Sequence, residues 1–192
     1  MVRPSQIAPL RAAFRVRVQG LTAGALLLSL CQAPAFANDP NPVPNVPKGD
    51  PAMTAAFARA AAGLDEFFAK WRNPPAGAER FSVKIGLTDT PGAPGYAIVR
   101  PGDGAPGFVE WFWTNNLRAD GTGFSAQISN EAEDLRNVAF GQTIHFARQD
   151  IGDWMYFQNG KIVGNATACP ALAHASAEER RQMKEQYGLA CD

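Results

Sequence analysis

Histidine is nearly missing from this 192-residue chain: His145 and His174 are its only imidazoles, and neither has a cysteine or carboxylate beside it at the spacing of a zinc site. A four-ligand metal centre is therefore not expected. No cofactor is expected either. One glycine-rich stretch, GDGAPG, puts Gly102, Gly104 and Gly107 at the spacing of a dinucleotide loop. Such a loop must open a helix so that its amides face a pyrophosphate, whereas Pro106 and the strand-like residues after Gly107 make a turn. Long apolar runs are absent as well. The longest, residues 21–31, falls well short of the roughly 20 residues that a membrane-spanning helix requires. Charge of one sign is not in surplus, with 18 basic and 18 acidic residues. Nucleic acid or an anionic membrane as principal partner would need a basic face, and this balance argues against both. The G-x-S-x-G elbow of many hydrolases does not occur.

What is present begins with a leader. Arg3, Arg11, Arg15 and Arg17, with no acid among them, precede the apolar residues 21–31 and then Ala35-Phe36-Ala37. A basic region, a short apolar core and a small-residue cleavage site make a secretory signal peptide over residues 1–37, cut after Ala37. The expected destination is periplasmic or secreted, with no stable membrane span in the mature form. Acylation at Cys31 is the alternative fate of this segment, disfavoured by the bulky Leu30 before it. Loss of the four leader arginines leaves 14 basic against 18 acidic residues, so the mature chain is mildly acidic. Cys31 leaves too, and Cys169 and Cys191 remain, either bonded in an oxidising space or as two free thiols. A bond would restrict the unfolded ensemble and contribute about 2–4 kcal/mol.

The mature chain reads as a tether followed by one domain. Residues 38–50 alternate proline with asparagine and carry no apolar period, the composition of an extended, solvated linker. Asp50-Pro51 supplies a cap and a first-turn proline, after which Met53, Phe57, Ala60, Leu64, Phe67 and Trp71 recur at helical spacing until Asn73-Pro74-Pro75. Strand patterns follow: RFSVKIGLTD, a short piece at Tyr96–Val99, GFVEWFWTNNLR, GFSAQIS, TIHFARQ, WMYFQ and KIVGNAT. Asp120-Gly121 and Asn159-Gly160 mark hairpins. Ser176 with Glu179 forms a capping box for a last short helix ending at Gly188. The expected class is α+β, an N-terminal amphipathic helix, a curved antiparallel sheet of about five to six strands and a short C-terminal helix over residues 51–192.

Candidate chemistry is sparse. Ser125 or Ser129 with His145 and Asp150 or Asp153 would complete a nucleophile set only if the fold gathered them. His145 lies on the face of TIHFARQ opposite Ile144 and Phe146, which predicts solvent or a cross-sheet hydrogen bond. Acids at turns more often accept backbone N–H bonds than divide acid and base roles.

Glu110-Trp111-Phe112-Trp113, Ser129-Asn130, Gly141, the run DIGDWMYFQNGKIVGNAT and finally SAEERRQMKEQYGL resemble the YegJ-like bacterial family, domain of unknown function 2314, over residues 80–190. Gln142 departs from the pattern, which has an acid after that glycine. The resemblance implies the fold and supplies no reaction or catalytic residue. Within it, Asp153 is expected to close the turn before WMYFQ, Trp154 to bury a large ring whose N–H needs a partner, and Asn165 and Thr167 to bond loop backbone. The leading expectation is a non-catalytic periplasmic binding or interaction domain, using Glu110, Trp111, Trp113, Asp153, Trp154 and Asn165 as its surface for an envelope protein or small ligand. An envelope polymer hydrolase working through Glu110, His145 and Asp153 is one alternative. An immunity or inhibitor protein for a secreted toxin is another.

Overall fold

A computed structural model describes residues 49–103, 107–173, 175–189 and 191. The leader, its cleavage point, most of the tether and His174 lie outside these residues. Helix α1 (Pro51–Arg72) starts where Asp50 Oδ1 accepts the Met53 N–H at 2.7 Å and stops at the Asn73-Pro74-Pro75 breaker. Its buried side chains, Ala56, Ala60, Leu64, Phe67 and Phe68, recur every three or four positions. Seven strands follow: β1 (Ala78–Asp89), β2 (Tyr96–Val99), β3 (Glu110–Asp120), β4 (Gly123–Ile128), β5 (Thr143–Phe146), β6 (Ile151–Gln158) and β7 (Lys161–Gly164). Two short helices, α2 (Ala168–Leu172) and α3 (Ala177–Tyr187), end the described chain. The class is α+β, as the element order implies; among the described residues the strand count is seven because the short Tyr96–Val99 segment pairs with β1.

All pairings are antiparallel, in the order β5-β4-β3-β1-β6-β7, with β2 beside the end of β1. Curvature follows from connectivity. Phe146 ends β5 and Ile151 opens β6, five positions later, although β4, β3 and β1 stand between those strands in the sheet. Laid flat, four strand spacings of about 4.8 Å put them about 19 Å apart, more than the about 17 Å that five extended residues reach, and here Arg148–Asp150 is wound into a 3-10 turn. The sheet must therefore curl. Three register shifts supply the bend: an extra residue near Arg80 in β1, one near Asn116 in β3 and one at Gly152 in β6. Arg80 and Asn116 take φ of 53° and 52°, the left-handed backbone that such bulges use.

The core lies between the curled sheet and α1. Leu64, Phe67 and Phe68 of the helix join Val83, Ile85 and Leu87 of β1, Phe112, Ile128, Ile144 and Tyr156 in one buried cluster. Phe68 stacks on Phe124 at 4.7 Å and Phe81 on Tyr156 at 5.0 Å. Burying rings of this size is the dominant favourable contribution in a domain of this length. At the other end of the chain, Cys169 and Cys191 form a disulfide with Cα atoms 5.2 Å apart. It pins the segment after α3 to α2.

Candidate functional site

The bulge at Gly152 decides which way the next side chain points. Lys84 pairs with Asp153 on one side and with Trp113 on the other, so these three residues stand abreast across β6, β1 and β3. Asp153 is fully buried, at 0% exposure. Its Oδ1 accepts N–H bonds from Trp154 at 2.8 Å and Ala166 at 3.2 Å, and its Oδ2 accepts the Thr167 N–H and hydroxyl, both at 2.7 Å. Thr167 Oγ1 in turn accepts a bond from Lys84 Nζ at 3.0 Å, and that ammonium sits 4.7 Å from the Trp113 ring centre. Burial pushes the Lys84 pKa below its usual value, with the charge of Asp153 pulling the other way.

An amine beside a hydroxyl is the composition of a nucleophile and its base. Here the geometry directs it elsewhere. The Thr167 proton is committed to Asp153, Lys84 donates to the hydroxyl instead of withdrawing its proton, and Thr167 is only 2% exposed. The cluster ties the loop after β7 to the centre of the sheet. Asp153 is thus a strand residue bonded to a distant loop, which corrects the expectation that it closes the turn before WMYFQ: β6 begins at Ile151, because Ile151 pairs with Ile85 before the bulge.

Glu110 has the same kind of role. It is 6% exposed, and its carboxylate accepts the N–H groups of Glu133 at 2.9 Å and of Asp134 and Leu135 at 3.2 Å. Asp89 accepts those of Arg136 and Asn137. Residues 129–142 make no strand or helix of their own, so their amides need acceptors from outside, and these two carboxylates take five of them. Asn130 Oδ1 accepts the Trp113 N–H at 2.9 Å.

The indoles are packing plates. Gly86 and Gly152 leave the room that Trp111 fills: a Cβ at Gly152 would come within 2.2 Å of its ring. Phe57 of α1 touches the same indole at 4.8 Å. Trp154 lies between Gly63 and Gly164 and gives its N–H to the Ala60 carbonyl at 2.8 Å, the partner its ring required. Asn165 is buried and takes φ of 59°, ending β7 in the left-handed conformation that asparagine tolerates. Of the six surface residues expected from the sequence, Glu110, Asp153 and Asn165 are therefore interior, and Trp111, Trp113 and Trp154 are half-buried.

The hydrolase set is not brought together. His145 pairs with Ser125, which pairs with Arg118, eight positions and about 25 Å along β3 from Glu110. His145 is exposed and its Nδ1 lies 2.6 Å from Asp120 Oδ2, the cross-sheet bond its strand position predicted. No hydrogen bond joins Ser125 to it. Asp150 instead holds Arg100 at 2.8 Å and the Ala147 N–H at 2.8 Å. Among the described residues, no group of three or more histidine, cysteine and carboxylate side chains is placed to hold a metal. Sequence reasoning passed over Lys84. Its signal was a lone cation in mid-strand, flanked by Val83 and Ile85 and without an acid two positions away.

A relative in Escherichia coli strain K12, "Uncharacterized protein YegJ", is 29% identical over 133 residues, covering 69% of this chain and 75% of the relative. A "Putative ankyrin repeat protein" of Neisseria meningitidis serogroup B is 30% identical over 88 residues, covering 45% of this chain and 35% of that protein. No solved structure matches significantly. The model of the family described as "Uncharacterized protein conserved in bacteria (DUF2314)" matches residues 50–191, so it takes in α1 as well as the sheet. The chain belongs to the DUF2314 family.

Proposed function

We propose that this protein is exported, cut after Ala37, and works in an oxidising envelope compartment as a non-catalytic binding domain held off by its proline-rich tether. The observation that carries this reading is the fate of the acids: Glu110 and Asp153 each have their oxygens filled by backbone amides, which leaves neither as a proton donor or acceptor for a substrate. The Cys169–Cys191 bond supports the choice of compartment. Of the surface first considered, the half-buried indoles of Trp111 and Trp113 remain to meet an envelope protein or small ligand.

The test is expression of the tagged full chain in a bacterial host, followed by fractionation, N-terminal sequencing and affinity capture from the envelope. The expected outcome is a mature chain beginning at Asn38, no free thiol, and a stoichiometric partner that Trp113→Ala fails to retain. Uncut protein with free thiols in the cytoplasm would refute export. Turnover of an envelope polymer abolished by Glu110→Gln or His145→Ala would replace binding with catalysis.

A further inference from the structure

Strand β5 stands at one end of the sheet order and pairs with β4 alone. Which of its peptide groups that leaves open follows from the register. Ile128 donates its N–H to the Gln142 carbonyl at 2.9 Å, and the pairs after it are Gln127 with Thr143, Ala126 with Ile144, Ser125 with His145 and Phe124 with Phe146. Bonding alternates along an antiparallel ladder, so Ile144 and Phe146 turn their N–H and carbonyl groups to β4, and Thr143 and His145 turn theirs away from it. Among the described residues, nothing bonds those outward groups. Ala147, the next to face outward, is occupied: its N–H goes to Asp150 Oδ2 at 2.8 Å and its carbonyl accepts the Asp150 N–H at 3.0 Å. The edge is therefore open over Thr143 and His145 and closed beyond them. Neither a lysine nor a proline blunts β5.

Beside this edge the curl brings β2 close to β5 without pairing them, and a concavity of about 370 Å³ remains. Ile98, Phe124 and Phe146 give it an apolar lining, and Asp120, His145 and Asp150 a polar one. The two carboxylates differ. Asp150 is matched by the Arg100 guanidinium at 2.8 Å, whereas half-exposed Asp120 has only the His145 imidazole, which is no permanent cation. The rim is thus left with an acidic group that a basic partner would complement.

We propose that β5 takes an extended basic peptide as an added strand. Its backbone bonds the free groups of Thr143 and His145, alternate apolar side chains rest on Phe124, Phe146 and Ile98, and the lysines or arginines between them face Asp120. The inference rests on the reading of this protein as a binding domain and gives it a site at the opposite end of β3 from Trp111 and Trp113.

The experiment is amide hydrogen exchange, read by NMR, on the purified full chain with a seven-residue peptide of alternating lysine and valine. The controls are the same peptide with glutamate for lysine, and the lysine peptide methylated at every backbone nitrogen. In the free chain Ile144 should be protected and Thr143 and His145 should not. Saturating lysine peptide should slow both open amides by about tenfold or more, and the controls should leave them unchanged. Asp120→Asn, an exposed substitution, should weaken binding by about threefold, a difference that added salt removes. Protection of Thr143 and His145 equal to that of Ile144 without peptide, no slowing with the lysine peptide, or equal slowing with either control each overturns the site. None of these readouts involves partner retention through Trp113, so failure of this edge and failure of the binding reading are separable.

Discussion

Asp153 receives four hydrogens from three residues, two of them thirteen and fourteen positions further along the chain. Replacing one oxygen by an NH2 group in Asp153→Asn removes acceptor capacity and the charge together. The expected loss is about 3 kcal/mol, read from urea unfolding. Thr167→Val removes only the hydroxyl that relays Asp153 to Lys84 and should cost about half as much. Lys84 gives a pH signature. Burial lowers its pKa in the folded state, so the unfolded chain binds that proton more tightly, and stability rises as pH climbs from the lowered value towards 10.5. Lys84→Met lacks that group, and its stability should rise less between pH 7 and pH 10 than that of the parent chain. An equal rise in both would contradict the buried position. None of this network was visible in the linear chain, because its partners depend on the register of β1 with β6 and on one bulge.

At the scale of elements, local chemistry was legible and irregularity was not. Asn159-Gly160 forms its hairpin with φ of 52° and 77°, the left-handed pair such a turn needs, and joins Gln158 to Lys161 as expected. At Asp120-Gly121 the hairpin forms one position later, with Gly121 and Thr122 between the paired Asp120 and Gly123. The N-cap and breaker of α1, and the capping box and terminal glycine of α3, fall where their residues indicated. The bulges at Arg80 and Asn116 carried no glycine to announce them, and α2 is too short for a period. The two last glycines of the β6–β7 hairpin separate backbone freedom from packing. Gly160→Ala meets no atom within 4 Å and should cost about 1 kcal/mol from its positive φ alone. Gly164→Ala adds a carbon 2.4 Å from the Trp154 carbonyl oxygen and 2.6 Å from its ring, so about 3 kcal/mol is expected in thermal or urea unfolding.

For the whole molecule, the curled sheet, its helix and one disulfide form a frame in which acids serve loops. The cysteine pairing was legible from the count once Cys31 was assigned to the leader, while the curl required knowing that β5 and β6 are four steps apart in the sheet. With the cysteines separated by 22 positions, chain-entropy reasoning gives about 3 kcal/mol of stabilisation, to be lost in the Cys169→Ser, Cys191→Ser double variant and measured under oxidising conditions. The most direct test of the account is native-state hydrogen exchange at the Leu135 and Thr167 amides, whose acceptors are Glu110 and Asp153. Both should exchange slowly, and Leu135 should accelerate selectively in Glu110→Gln. Exchange of either amide in the parent protein at the rate of an unstructured peptide would show that these carboxylates do not hold the loops, and the account would fail.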